Sequence, residues 1–298
     1  MPYLLLALLS ALWGTSFLLI KLSAGGLDAV SFAFGRLAIG ALALAVTARA
    51  AGWRWPRERR AWGVLLLLAA VGQGLPIFLL GNAAAMTTSA DLALMMGAAP
   101  IATVLIARAL GMGEVWSVSA AAGLGLGILG VAVAVGAPVD ATLYPHAAWG
   151  RALGLSASVL YATGALISRF ASRSVGPAMS ATASMALSAS LMGIVWFAAD
   201  GPAAPGVFLA APPSALLALS ALGCLNTALA YLVYFRLVEM SGATFAALNN
   251  YVVPFIGLVL GSAILGERVA PSSWVGLSLV VGGVVVTGAA TRISAARS

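Results

Sequence analysis

Apolar runs long enough to cross a bilayer recur roughly every 30 residues along this chain, and no other feature limits its fold so strongly. A spanning α-helix needs about 20 residues, and a short turn returns the chain to the membrane. Only 8% of the 298 residues are charged, whereas an average soluble domain carries about 25%. Water cannot be the solvent for such a surface. The runs fall at residues 3–22, 30–50, 61–81, 88–110, 117–136, 149–170, 177–199, 213–236, 241–265 and 271–290. The expected fold is therefore an all-α polytopic membrane protein with ten transmembrane helices. The first run begins at Tyr3 with no basic leader and reads as a retained span; Ser23-Ala24-Gly25 is the one stretch that imitates a signal-peptide cleavage site.

The same scarcity of reactive side chains excludes several functions. Cys224 and His146 are each the single residue of their type, which rules out an internal disulfide and a tetrahedral zinc site. The one lysine, Lys21, precedes Leu22, so no phosphate-binding loop of an ATPase is present. No cofactor is implied, and energy for transport has to come from gradients or from a partner. The net charge of +7 is scattered between the spans, which argues against nucleic acid as a partner.

Orientation follows from the cations. With a cytoplasmic N-terminus, eleven arginines (49, 54, 57, 59, 60, 108, 169, 173, 236, 292 and 297) mark the inner side, against Lys21, Arg151 and Arg268 outside. Both termini are then cytoplasmic. Trp53-Arg54-Trp55-Pro56-Arg57-Glu58-Arg59-Arg60 reads as an anchor at the inner interface. Asp140 and His146 fall in an outer loop.

The chain also repeats itself. Ser10-Ala-Leu-Trp13-Gly-Thr15 through Lys21 aligns with Ser158-Val-Leu-Tyr161-Ala-Thr163 through Arg169. Ala90 to Pro100 with Gly113-Glu114 parallels Ala243 to Pro254 with Gly266-Glu267. Two repeats follow, residues 1–137 and 149–290. Each holds five spans, so the second enters the membrane in the opposite direction, with Glu114 inside and Glu267 outside. Inverted repeats of this kind build secondary transporters, whose two halves expose one central site alternately to each side.

On these residues the chain resembles the EamA-type ten-span members of the drug/metabolite transporter superfamily. The resemblance rests on Trp13-Gly14-Thr15, on Arg36 in the second span, and on the twice-used run of small residues, Pro and Gly-Glu, best seen from Ser241 through Asn249-Asn250 and Pro254 to Gly266-Glu267. Within the superfamily it is most similar to bacterial amino acid exporters, including the YddG-type exporters of aromatic amino acids. The resemblance implies ten helices around a central cavity and export of small metabolites across the bacterial inner membrane. At the register position of Arg36 the second repeat carries Ser184, so an arginine role is not duplicated.

Two charges lie well inside the spans, away from their ends, where each costs about 2.5–3.5 kcal/mol on insertion scales. Arg36 is expected to attract a substrate carboxylate, and Asp91 an ammonium or a proton; the alternative is that the two pair or reach the interface. Thr15, Ser16, Gln73, Asn226, Thr227, Asn249 and Asn250 are uncharged polar groups at membrane depth, and at least one of the adjacent asparagines should face the cavity. Trp13, Phe78, Tyr161, Tyr231 and Tyr251, with Met95 and Met96, are expected to line an apolar wall. Pro76, Pro100 and Pro254 are expected to permit a gating bend. Glycines of the fifth and tenth spans should pack those helices together or against a second subunit, leaving monomer and dimer open.

The expected function is a secondary exporter of small metabolites, amino acids foremost, with multidrug or nucleobase efflux as the alternative. An intramembrane enzyme lacks its residues here: the one His lies in a loop, and no acidic pair sits at membrane depth. A channel would need a filter-like repeat or a ring of charges.

Overall fold

The computed structural model describes residues 1–112, 118–246 and 248–295. Every regular element among them is helical. Seven helices are long and apolar enough to cross a membrane: α1 (Pro2–Ala24), α2 (Ala29–Ala50), α3 (Arg59–Met86), α4 (Ser89–Ala109), α6 (Ala147–Val175), α7 (Pro177–Asp200) and α8 (Pro213–Gly242). Between them, or after them, come α5 (Val118–Val135), α9 (Asn249–Leu265) and α10 (Pro271–Ala295). A short helix, Ala204–Ala210, joins α7 to α8.

Local chemistry sets several helix ends. Asp28 caps α2 by accepting the Val30 and Ser31 amides at 2.9 and 3.0 Å. Thr88 caps α4 in the same way, accepting the Asp91 amide at 3.0 Å. Pro177 and Pro213 sit in the first turns of α7 and α8, where their missing N–H groups leave no intrahelical bond unmade. Gly266 ends α9 at φ 65°, a left-handed cap that costs a side-chain-bearing residue more than glycine.

Four spans depart from uniform α-helix. In α4, expected to be continuous over 88–110, the helix breaks after Met96 and restarts at Ala99, with Pro100 in the restarting first turn. Pro100 therefore follows an interruption and does not bend an intact helix. The ninth run is also divided: Gly242 adopts φ 81°, and α9 starts at Asn249 with Pro254 inside it. The third and eighth spans each contain a π-helical stretch, Ala70–Gly74 and Leu222–Leu229. Pro76 lies in the first turn of the helix resuming after the first of these.

Packing joins one half of the chain to the other. Helix α2 lies on α7, and α5 on α10; α1 packs on α8 and α9 much as α6 packs on α3 and α4. Small residues allow the closest approaches, because in lipid helix association draws on van der Waals contact and not on expulsion of water. A Cβ placed on Gly130 of α5 would come within 2.7 Å of the Gly276 carbonyl oxygen of α10. That contact is the first of the two alternatives expected for the fifth and tenth spans, packing against each other within one chain. Leucine, isoleucine and phenylalanine side chains such as Leu42, Leu67, Ile128, Phe197 and Ile264 point outward, as a lipid-facing surface requires. The Glu114 expectation falls outside the described residues.

Candidate functional site

The halves enclose a cavity of about 1030 Å³. Its floor is apolar, built by Phe17 and Ile20 of α1 with Ile77 and Leu80 of α3. The walls carry Trp13, Arg36, Gln73, Met96, Tyr161, Asn226, Tyr231, Asn249 and Asn250. Arg169 and Ser172 near the end of α6, and Arg236 and Glu239 near the end of α8, surround the mouth with Trp53. The π-helical stretches of α3 and α8 each place one carboxamide on this wall, Gln73 and Asn226. Such stretches widen the helix and release backbone groups, and they recur at functional sites.

Arg36 is the deep charge of the cavity. It is 8% exposed, and its Nε donates a long 3.4 Å hydrogen bond to the Thr227 hydroxyl. Its Nη1 has no hydrogen-bond partner. Tyr161 and Tyr231 line the same cavity. Across the repeat, Ser184 occupies the position matching Arg36, and it accepts a 2.9 Å hydrogen bond from Gln73 Nε2. Asn226 donates to the Leu12 carbonyl and, at 3.0 Å, to the Thr15 hydroxyl, tying α8 to α1.

The structure places several expected site residues elsewhere. Asp91 faces away from the cavity and is held by Arg151, whose Nε and Nη2 donate to its two carboxylate oxygens at 2.9 and 3.1 Å. Both side chains are buried, 7% and 3% exposed. A bidentate arginine fork explains how α4 carries a carboxylate at this depth. Arg36 and Asp91 do not pair with each other. Arg151, counted above among the cations of the outer side, is a buried residue of α6. Phe78, Met95 and Pro76 pack in the helical core beside the cavity, and Thr15 bonds Asn226 and the α1 backbone. Pro100 and Pro254 do stand on the wall. The Tyr251 side chain is outside the described residues.

Beyond the floor, polar contacts close the bundle. Lys21 donates to the Ala84 and Thr87 carbonyls at 2.6 and 2.5 Å and lies 4.4 Å from the Tyr144 ring. Glu267 accepts from the Ser89 amide and hydroxyl, both at 2.8 Å, and from the Ala90 amide at 3.1 Å. A carboxylate there also meets the positive end of the α4 dipole. Two helices and a loop thus grip the α3–α4 turn and the start of α4: α1 through Lys21, α6 through Arg151, and the loop after α9 through Glu267. Sequence reasoning missed this seal, although Lys21 and Glu267 had both stood out as terminal residues of aligned repeats. Burial and burying partner together define it, and neither is visible in one-dimensional spacing.

A helical bundle in two cross-packed halves around a central cavity has a known counterpart. The EamA-like transporter family matches residues 1–136 and 148–289. The chain belongs to the EamA-like transporter family. A "Probable terminal-alkyne amino-acid exporter" of Streptantibioticus cattleyicolor is 28% identical over 279 residues, covering 92% of this chain and 89% of that protein. A "Putative permease-like protein YdzE" of Bacillus subtilis is 31% identical over 65 residues, 22% of this chain and 83% of that one. In fold, this EamA-like chain is similar to a protein solved by crystallography, at TM-score 0.65 and 19% identity, over 98% of this chain and 97% of that one. It is a membrane transporter and not an enzyme.

Proposed function

We propose that this EamA-like transporter exports small carboxylate-bearing metabolites, amino acids foremost, across the bacterial inner membrane by alternating access. One observation carries the reading: a buried arginine on the cavity wall keeps a guanidinium nitrogen without a partner. A buried, unsatisfied charged donor is costly, and a carboxylate arriving from the mouth offsets that cost. Trp13, Met96, Tyr161 and Tyr231 offer the body of the substrate an apolar and aromatic surface. The Streptantibioticus relative, a probable terminal-alkyne amino-acid exporter, points to the same class of cargo.

The arginine bias puts the mouth, with Arg169 and Arg236, on the cytoplasmic side. The cavity is then open to the cytoplasm and closed outside by the Lys21, Asp91–Arg151 and Glu267 contacts, the state in which an exporter loads. We assign Asp91 to that seal. Pro100 and Pro254, beside the divided fourth and ninth spans, are the bending points through which the two inverted repeats exchange conformations. Multidrug or nucleobase efflux draws support from the largely apolar floor.

Proteoliposomes holding the purified protein separate these readings when offered radiolabelled neutral amino acids and organic cations, with and without a pH gradient. Amino acid uptake is expected, and Arg36→Gln should reduce it by about tenfold or more, the scale of a lost charge-assisted hydrogen bond. Transport of cations with no amino acid would sink the proposal.

A further inference from the structure

Besides serine hydroxyls, three buried polar groups on the described cavity wall lack partners: Arg36 Nη1, Gln73 Oε1 and Asn249 Oδ1. The amide orientations are set by chemistry. The Ser184 hydroxyl gives its single proton to the Ala181 carbonyl at 3.2 Å, so toward Gln73 it can only accept. The Gln73 NH2 group must face it, which leaves Oε1 free. Asn249 Nδ2 faces the Ala246 carbonyl at 2.6 Å, and a carbonyl accepts only. Oδ1 is left over there in the same way.

Gln73, Tyr231 and Arg36 line the same cavity, so the free amide oxygen and the guanidinium face one common space. No carboxylate accompanies them. Among the described lining residues the one acid is Glu239 at the mouth, bonded to Arg236 at 2.7 Å with both side chains mostly exposed. Asp91 is held by Arg151.

We propose that Gln73 determines specificity at the substrate's α-position, reading the α-substituent as a neutral hydrogen-bond donor, so that α-hydroxy acids and α-amino acids share this site. The proposal rests on Arg36 as the carboxylate subsite. A carboxylate on Arg36 makes a neutral pair at a buried point of the wall. An ammonium added beside that pair has no anion to meet it, and its desolvation goes uncompensated. A hydroxyl gives Gln73 Oε1 the same donor without the extra charge. Discrimination by a carboxylate would work the other way, favouring the ammonium strongly.

Displacement of radiolabelled phenylalanine from the purified full-length protein in nanodiscs tests this with three competitors. Phenyllactate carries an α-hydroxyl, phenylpropionate has no α-substituent, and phenylalaninamide has no carboxylate. Phenyllactate should compete within about threefold of phenylalanine, phenylpropionate about five- to tenfold more weakly for loss of one neutral hydrogen bond, and phenylalaninamide not at all. Gln73→Glu should end this near-equality, weakening phenyllactate while sparing phenylalanine. Phenyllactate weaker than phenylalanine by about a hundredfold, the scale of a lost charge-assisted bond, would overturn the Gln73 proposal and leave the Arg36 subsite standing. Competition by phenylalaninamide equal to phenylalanine, or no binding of phenylalanine itself, would overturn the Arg36 reading and this one with it. The wild-type series decides even if Gln73→Glu fails to fold.

Discussion

Asp91 and Arg151 are sixty residues apart in sequence and share two hydrogen bonds in the bundle, with Thr87 adding a 2.5 Å donation to the same carboxylate. Removing one member strands the other in a dry helical interior. Asp91→Asn is therefore expected to destabilise the protein by about 3–5 kcal/mol, whereas the paired replacement Asp91→Leu with Arg151→Met should recover most of the loss. Thermal melting in detergent checks both; a single variant melting with the wild type would show that the pair contributes nothing. The sequence marked Asp91 as anomalous because charge inside a span is rare. It did not mark Arg151, which sits one turn into α6 near an expected loop and needed no explanation as an interfacial cation.

At the scale of elements, α3 and α6 meet through two glycines. A Cβ on Gly72 would lie 2.8 Å from the Gly164 Cα, and neither backbone has a flexible end to yield. Gly164→Ala should cost about 1–3 kcal/mol through overpacking, and Gly164→Leu should prevent folding into the monodisperse bundle. Melting temperature and size-exclusion profile read these outcomes, and wild-type behaviour of the leucine variant would refute the contact. Helical spans were legible because apolar runs of bilayer length admit one backbone solution. The π-helical stretches and the division of α4 were not. Both depend on which neighbour offers partners to the released backbone groups, and a run such as 88–110 is equally apolar whether continuous or broken.

For the whole molecule, the cavity opens at one end of the bundle and is sealed at the other. In a Cys224→Ser background, Ser168→Cys on the mouth side should react with a membrane-impermeant thiol reagent in inverted membrane vesicles, and phenylalanine should slow the reaction. Ala84→Cys, 1% exposed beside the Lys21 contacts, should stay protected from reagent applied on the mouth side. Labelling of Ser168→Cys from the periplasmic side of intact cells would overturn the orientation. Cross-packing of the halves extends the internal similarity read from Trp13–Thr15 against Tyr161–Thr163: each helix of one repeat that lines the cavity is buttressed by the other repeat.

By itself the sequence determined the solvent, the helices and the short roster of side chains that a membrane interior tolerates only with a reason. Those follow from transfer free energy and backbone hydrogen bonding, which act locally along the chain. Tertiary structure alone decided how that roster divides. Arg36 and Asp91 have the same difficulty in lipid and the same standing in the sequence, but a guanidinium from a distant helix neutralises Asp91 and none of the described carboxylates reaches Arg36. Pairing is a matter of distance in three dimensions, because Coulomb attraction and hydrogen bonds act over a few ångströms of space whatever the separation along the chain.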